Sequence, residues 1–134
     1  MDSRTTQRLQ KLFDDILTFS ERQENGFSVI SGISKDSRTI LELFQKDDVL
    51  TKGSLQLALP KEDDLEMCKL SCWTTIYFGC LFPTWKDAGL WIQDAANKIG
   101  AQNREYVRKD FPHHRVFARF DRTALVFDFQ FETI

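Results

Sequence analysis

The segment His113–Ile134 constrains this chain most, because its side-chain period allows one conformation only. Leu125, Phe127, Phe129 and Phe131 fall on one parity and Asp128, Gln130 and Glu132 on the other, the alternation of a half-buried strand. Upstream, Val116, Ala118 and Phe120 share one face, and Arg115 and Arg119 point the opposite way. A turn at Asp121-Arg122 makes the two arms a β-hairpin, with Ala118 opposite Leu125, Val116 opposite Phe127 and Arg115 across from Asp128. A slip of one residue would turn Leu125 and the three phenylalanines into water. The hairpin therefore needs an apolar cover from elsewhere in the chain.

Three stretches offer it. Behind a Ser3 cap, Leu9, Leu12, Phe13, Ile16 and Leu17 keep the spacing of a helical stripe, and this helix is expected to end near Asn25-Gly26. Pro60, Glu62, Asp63 and Asp64 resemble the entrance of a second helix running to about Leu81, where Pro83 stops it. Thr84 with Asp87 caps a third helix, whose stripe is Ala88, Trp91, Ile92, Ala95 and Ile99, up to Gly100. Strands are expected over Phe27–Ile33, with Gly32 as a bulge, and over Leu55–Leu59 behind a tight turn at Lys52-Gly53. Arg38–Gln45 reads either as a strand facing inward through Thr39, Leu41 and Leu43 or as a short helix behind Ser37, and the strand is favoured. Tyr106–Lys109 is a further short strand.

This order lacks a regular βαβ alternation, so the expected architecture is α+β: one domain over 1–134, a two-layer sandwich of a mainly antiparallel sheet, including the 113–134 hairpin, covered by an N-terminal helix and two central helices. In layout, a small acidic chain with one N-terminal helix, a strand meander and a central helix resembles the secretion-chaperone type of fold, although the closing helix of that family has no counterpart after the last strand. No function is carried over from that resemblance.

At 134 residues the chain is long enough to bury a core without staples, and twelve Phe make that core aromatic. Eighteen basic and twenty acidic residues are spread throughout, giving a net charge of −2, which disfavours nucleic acid as the main partner. The N-terminus shows no basic-then-apolar leader, and the uncharged run from Leu70 to Trp85 is shorter than a membrane span and contains Gly79 and Pro83. A cytoplasmic protein is expected, with Cys68, Cys72 and Cys80 as buried reduced thiols. Cys68 and Cys72 share a helical face, but no second ligand pair accompanies them, so neither a metal nor a cofactor is implied.

No phosphate-binding glycine loop, zinc-protease motif or nucleophile elbow occurs. The leading expectation is a protein-binding or accessory module, because the stretch 67–85 carries more apolar surface than one sheet face can cover. Trp73, Tyr77, Phe78, Phe82 and Trp85 are its candidate contact residues, and a homodimer is the simplest way to bury them. Two other readings stand beside it. A ligand or acid–base site between sheet and helices would use His113 or His114, with Tyr77 or a cysteine, since imidazole titrates near neutral pH. A single-stranded nucleic acid would lie on the outward row Arg115, Phe117 and Arg119, where Asp128, Gln130 and Glu132 on the adjacent strand largely cancel the charge.

The period-two assignment predicts that Phe127→Ala and Phe129→Ala each cost about 3 to 5 kcal/mol. Asp128→Ala, on the wet face opposite Arg115, is expected to cost less than about 1 kcal/mol. Denaturant melts of the three variants measure the contrast, and equal losses at 127 and 128 would contradict the strand assignment.

Overall fold

The computed structural model describes residues 3–58, 64–101, 106–121 and 123–134, with side chains at 4–58, 72–99, 106–121 and 123–134. The chain runs α1 (Ser3–Phe13), β1 (Thr18–Glu24), β2 (Phe27–Ile33), β3 (Thr39–Lys46), β4 (Val49–Ala58), α2 (Asp64–Leu81), α3 (Ala88–Ala101), β5 (Tyr106–Asp110), β6 (His114–Asp121) and β7 (Val126–Thr133). All seven strands form one antiparallel sheet in the order β1-β2-β3-β4-β7-β6-β5. Two meanders, β1–β4 and β5–β7, are thus joined by the pairing of β4 with β7. The α2–α3 excursion carries the chain from the middle of the sheet to its far edge. The helices pack on the sheet, α1 and α2 over β4 and α3 over β5 and β6, which is the expected α+β sandwich.

Side-chain parity places the core. Leu41 and Leu43 of β3, Leu55 and Leu57 of β4, Phe127, Phe129 and Phe131 of β7, and Val116 and Ala118 of β6 are buried under the helices. From the helix layer come Leu9, Phe13, Tyr77, Phe78, Leu81, Ala88, Ile92, Ala95 and Ile99. The third-helix stripe therefore packs as its spacing predicts, with Trp91 half-buried at its edge.

The first helix is shorter than expected. It ends at Phe13, whose carbonyl accepts from the amides of Ile16 and Leu17, and residues 18–24 form β1 instead of a continued helix. The Asn25-Gly26 pair explains the change: φ is 51° and 84°, Glu24 pairs with Phe27, and two left-handed residues make a tight hairpin turn rather than a helix cap. Leu12 falls off the buried stripe and is 57% exposed. The Ser3 side chain, the cap assigned to it, and the Pro60–Asp63 helix entrance lie outside the described residues.

Three turn assignments also change. Lys52-Gly53 lies within β4, and the preceding turn is Asp47-Asp48, both at positive φ. Gly32 is not a bulge, because it pairs in register with Phe19 and Leu41; a Cβ there would meet the Phe19 ring. The third helix begins at Ala88, with the Asp87 carbonyl accepting from Trp91 N, so Thr84 is a turn residue and not its cap.

The C-terminal hairpin keeps its faces and changes its register. Ala118 pairs with Phe129 and Val116 with Phe131, and Arg119 rather than Arg115 stands opposite Asp128. The turn is wider than two residues: Asp121 Oδ1 accepts from the amides of Thr123 and Ala124, and Leu125 takes φ 57°, leaving the strand. Arg122 lies outside the described residues. The shift is even, so the same side chains still point inward. Phe117 accordingly faces Gln130, not Val126.

Asp128 is less exposed than its parity suggests. Its side chain retains 14% exposure, accepts hydrogen bonds from Ser54 Oγ at 2.8 Å and Gln130 Nε2 at 2.5 Å, and lies 3.5 Å from Arg119. Removing it would orphan those donors, so Asp128→Ala is expected to cost about 1 to 3 kcal/mol, above the exposed-pair figure and still below the phenylalanine losses.

Gly53 and Tyr77 form a matched pair. A Cβ on Gly53 would run into the Phe131 ring and stand 3.0 Å from the Tyr77 hydroxyl, which is fully buried with no hydrogen-bond partner. Desolvation raises the Tyr77 pKa well above the usual phenol value, so the group remains a neutral, unused donor. Gly53→Ala should destabilise by about 1 to 3 kcal/mol through overpacking. Tyr77→Phe removes the unsatisfied hydroxyl and should be neutral or stabilising, by up to about 1 kcal/mol. Chemical denaturation of both variants checks the pair, and a clear loss in Tyr77→Phe would mean that the hydroxyl has a bonded partner.

Candidate partner-binding surface

The stretch 67–85 divides into a buried part and an open part. Tyr77 and Phe78 have no exposed surface and belong to the core, so they are unavailable to a partner in this fold. Trp73, Phe82 and Trp85 are half-buried, packed against the core by one side only. Side chains at 67–71, Cys68 among them, lie outside the described residues. Over 72–81 the helix carries no charged residue, yet Cys72, Thr75, Ile76 and Gly79 are exposed on its outer side. A water-facing helix stripe ordinarily carries charge, so this one is out of keeping with an isolated surface.

The α2–α3 junction builds the open part. Phe82 N donates to Phe78 O to close the last turn of α2, Pro83 prevents a further one, and Trp85 N donates to Phe82 O. This tight link projects Phe82 and Trp85 towards the turn between β5 and β6, where Phe111 N donates to His114 O. Phe82 stacks on Phe111 at 4.9 Å and 15°. Trp85 meets Phe111 edge-on at 5.1 Å, Phe82 at 6.0 Å, and Trp91 at 5.5 Å with a tilt of 56°. Phe78 stands behind them, 5.5 Å from Trp85, 6.0 Å from Trp91 and 6.1 Å from Phe129, and ties the cluster to the sheet. Edge-on pairs of this kind each add about 0.5 to 1.5 kcal/mol beyond area burial.

In front of these rings lies an open cleft of about 810 Å³ between Phe111 and α3, bordered by Leu90, Lys86, Asp87, Asp94 and Lys109. Leu90 projects beside it with 68% exposure. The Lys109 ammonium lies 5.5 Å over the Phe111 ring, and Asp94 pairs with Lys98 at 2.9 Å. The indole N–H groups of Trp85 and Trp91 have no acceptor among the described residues and are not buried. Leu90, Trp91, Phe111 and Lys109 were absent from the sequence-level candidates. Trp91 read as a core stripe residue, and Phe111 comes from a strand end that only the fold brings to α2. The one local hint was Leu90, an apolar residue off the helical stripe.

The other candidate residues lie elsewhere. His114 is half-buried with its ring 5.7 Å from Phe82, and burial pushes its imidazole below the usual range, favouring the neutral form; His113 is exposed. Neither histidine borders the cleft. On the helix-free sheet face, Arg115 Nε pairs with Asp110 at 2.9 Å and its Nη1 lies 4.0 Å from Glu132, while Arg119 faces Asp128. Phe117 lies 6.3 Å from Tyr106, so the Arg115, Phe117 and Arg119 row is intact as a row but neutralised by its neighbours. The cysteines do not match the buried reading uniformly: Cys72 is an exposed free thiol, whereas Cys80 is half-buried and its pKa is raised by desolvation. Among the described residues no group of three potential metal ligands occurs, and no described helix is long and apolar enough to cross a membrane.

No known protein family, curated protein or solved structure matches this chain.

Proposed function

We propose that this chain is a protein-binding or accessory module whose working surface is the outer side of α2 continued into the aromatic cleft, and that it self-associates as a homodimer through the α2 part. The carrying observation is the uncharged exposed stripe of Cys72, Thr75, Ile76 and Gly79 on the central helix of the helix layer. Apolar helix surface of this kind gains free energy when a second apolar surface removes it from water, at roughly 25 cal/mol per Å². A two-fold axis lets one copy offer the same stripe to the other, so no second protein is needed to cover it. The cleft, lined by rings that Phe78 holds rigid, then stays open for a different protein. Rigid aromatic rings around an apolar anchor are the residue types that dominate binding energy at interfaces.

Light scattering after size exclusion at micromolar concentration should return a dimer. Ile76→Glu, which places a charge in the middle of the exposed stripe, should return a monomer with an unchanged far-ultraviolet spectrum. A strictly monomeric wild-type protein that binds no apolar dye would remove the support for this reading.

A further inference from the structure

We propose that the Asn25-Gly26 turn is a site of spontaneous covalent modification, at which Asn25 loses its side-chain amide nitrogen and becomes a mixture of aspartate and isoaspartate. The inference stands apart from the reading of α2 as a contact surface, and its one co-reactant is water. The Gly26 main-chain nitrogen attacks the Asn25 side-chain carbonyl carbon, Cγ, and closes a five-membered imide. The Cγ–Nδ2 bond breaks, and Nδ2 leaves as ammonia with the proton that the Gly26 nitrogen gives up. Water then adds to one of the two imide carbonyls and returns a proton to that nitrogen. Opening at Cγ leaves an ordinary aspartate, whereas opening at the main-chain carbon leaves isoaspartate, whose backbone runs through the former side chain.

The attacking nitrogen belongs to a glycine, so no Cβ crowds its approach. Both residues are exposed, and Asn25 borders an open cleft of about 540 Å³ with Glu24, Phe27, Phe44 and Lys52, which gives water free access. Among the described residues no hydrogen bond holds the Gly26 amide or the Asn25 side chain.

The fold gates the reaction through the turn itself. Asn25 and Gly26, at φ 51° and 84°, are the two central residues between the paired Glu24 and Phe27. Two such positive values mark a type I′ turn, whose torsions keep the Gly26 nitrogen on the far side of the Cα–C bond from the Asn25 side chain. Ring closure therefore waits on an opening of the turn. β1 makes that opening accessible, because it is an edge strand on which Phe19 alone is half-buried and the other six side chains are exposed. Isoaspartate lengthens the backbone by one carbon, which the two-residue turn cannot absorb, and either product adds a negative charge beside Glu24. Modification should thus loosen β1 while the β4–β7 joint, two strands further in, stays closed.

Peptide mapping by mass spectrometry of the folded protein, kept in mildly alkaline buffer at body temperature, tests the assignment. The chain unfolded in guanidinium chloride is one reference; Asn97 is the other, exposed but inside α3 and followed by Lys98. Folded protein should convert at Asn25 about three- to thirtyfold more slowly than the unfolded chain, and not at Asn97. Asn25→Gln, which would have to close a six-membered ring, should abolish the conversion. After conversion, amide hydrogen exchange should be faster along β1 and unchanged in β4 and β7. No conversion of the folded protein over about thirty half-lives of the unfolded chain, or equal conversion at Asn97, would overturn the site. Unchanged exchange along β1 in the converted protein would overturn the loosening of the edge.

Discussion

Everything in this molecule hangs on the pairing of β4 with β7, which sets Leu55 against Phe129, Leu57 against Phe127 and Gly53 against Phe131. Each strand belongs to a different meander, and the bonds between them turn two separate ribbons into one sheet. Each meander alone could form from neighbours in sequence, but neither would present a face wide enough for three helices. The joint also fixes the geometry around Gly53, where the missing side chain leaves room for the Phe131 ring and the tip of Tyr77. Closing it requires contacts across the whole α2–α3 excursion, so the loop-closure entropy of that segment opposes the step that completes the sheet.

Phe78 links this joint to the proposed working surface. It touches Phe129 on the sheet side and Trp85 and Trp91 on the cleft side, so the rings that face solvent are positioned by a residue that has no exposure at all. The cleft is therefore rigid for the same reason the core is packed. A sequence reading that groups Tyr77 and Phe78 with Trp73, Phe82 and Trp85 captures the cluster but not this division of labour.

What the sequence conveyed well was parity and helical spacing. The inward set of β7 and β6 and the stripe of α3 follow from side-chain period, which a buried face enforces strictly. Over Arg38–Gln45 the period fits a strand or a short helix, and only the pairing of β3 with β2 and β4 decides for the strand. Turn geometry was harder. Asn25-Gly26 serves a helix end or a hairpin equally well in composition, and only the polar strand before it, with Phe19 covering Gly32, decides between them. The hairpin register slipped by an even step because Asp121 widens the turn through side-chain bonds to two amides, a local choice that the alternation cannot see. The cleft was half legible, since Phe82 and Trp85 stand out in the sequence, whereas Phe111 reaches them only through the return of β5 and β6 across the sheet.

The edge strand β1 sets how far such a sheet can spread. Arg22 of β1 bridges Glu24 on the same strand and Glu42 on β3 at 2.9 Å each, which ties the charge of the outermost strand across β2. Suppose two copies joined edge to edge through this strand, related by a two-fold axis normal to the sheet. Centring the axis on Glu21 would oppose carboxylate to carboxylate, and centring it on Arg22 would oppose guanidinium to guanidinium. Both central registers carry a built-in repulsion, so a dimer joined edge to edge through this border is disfavoured.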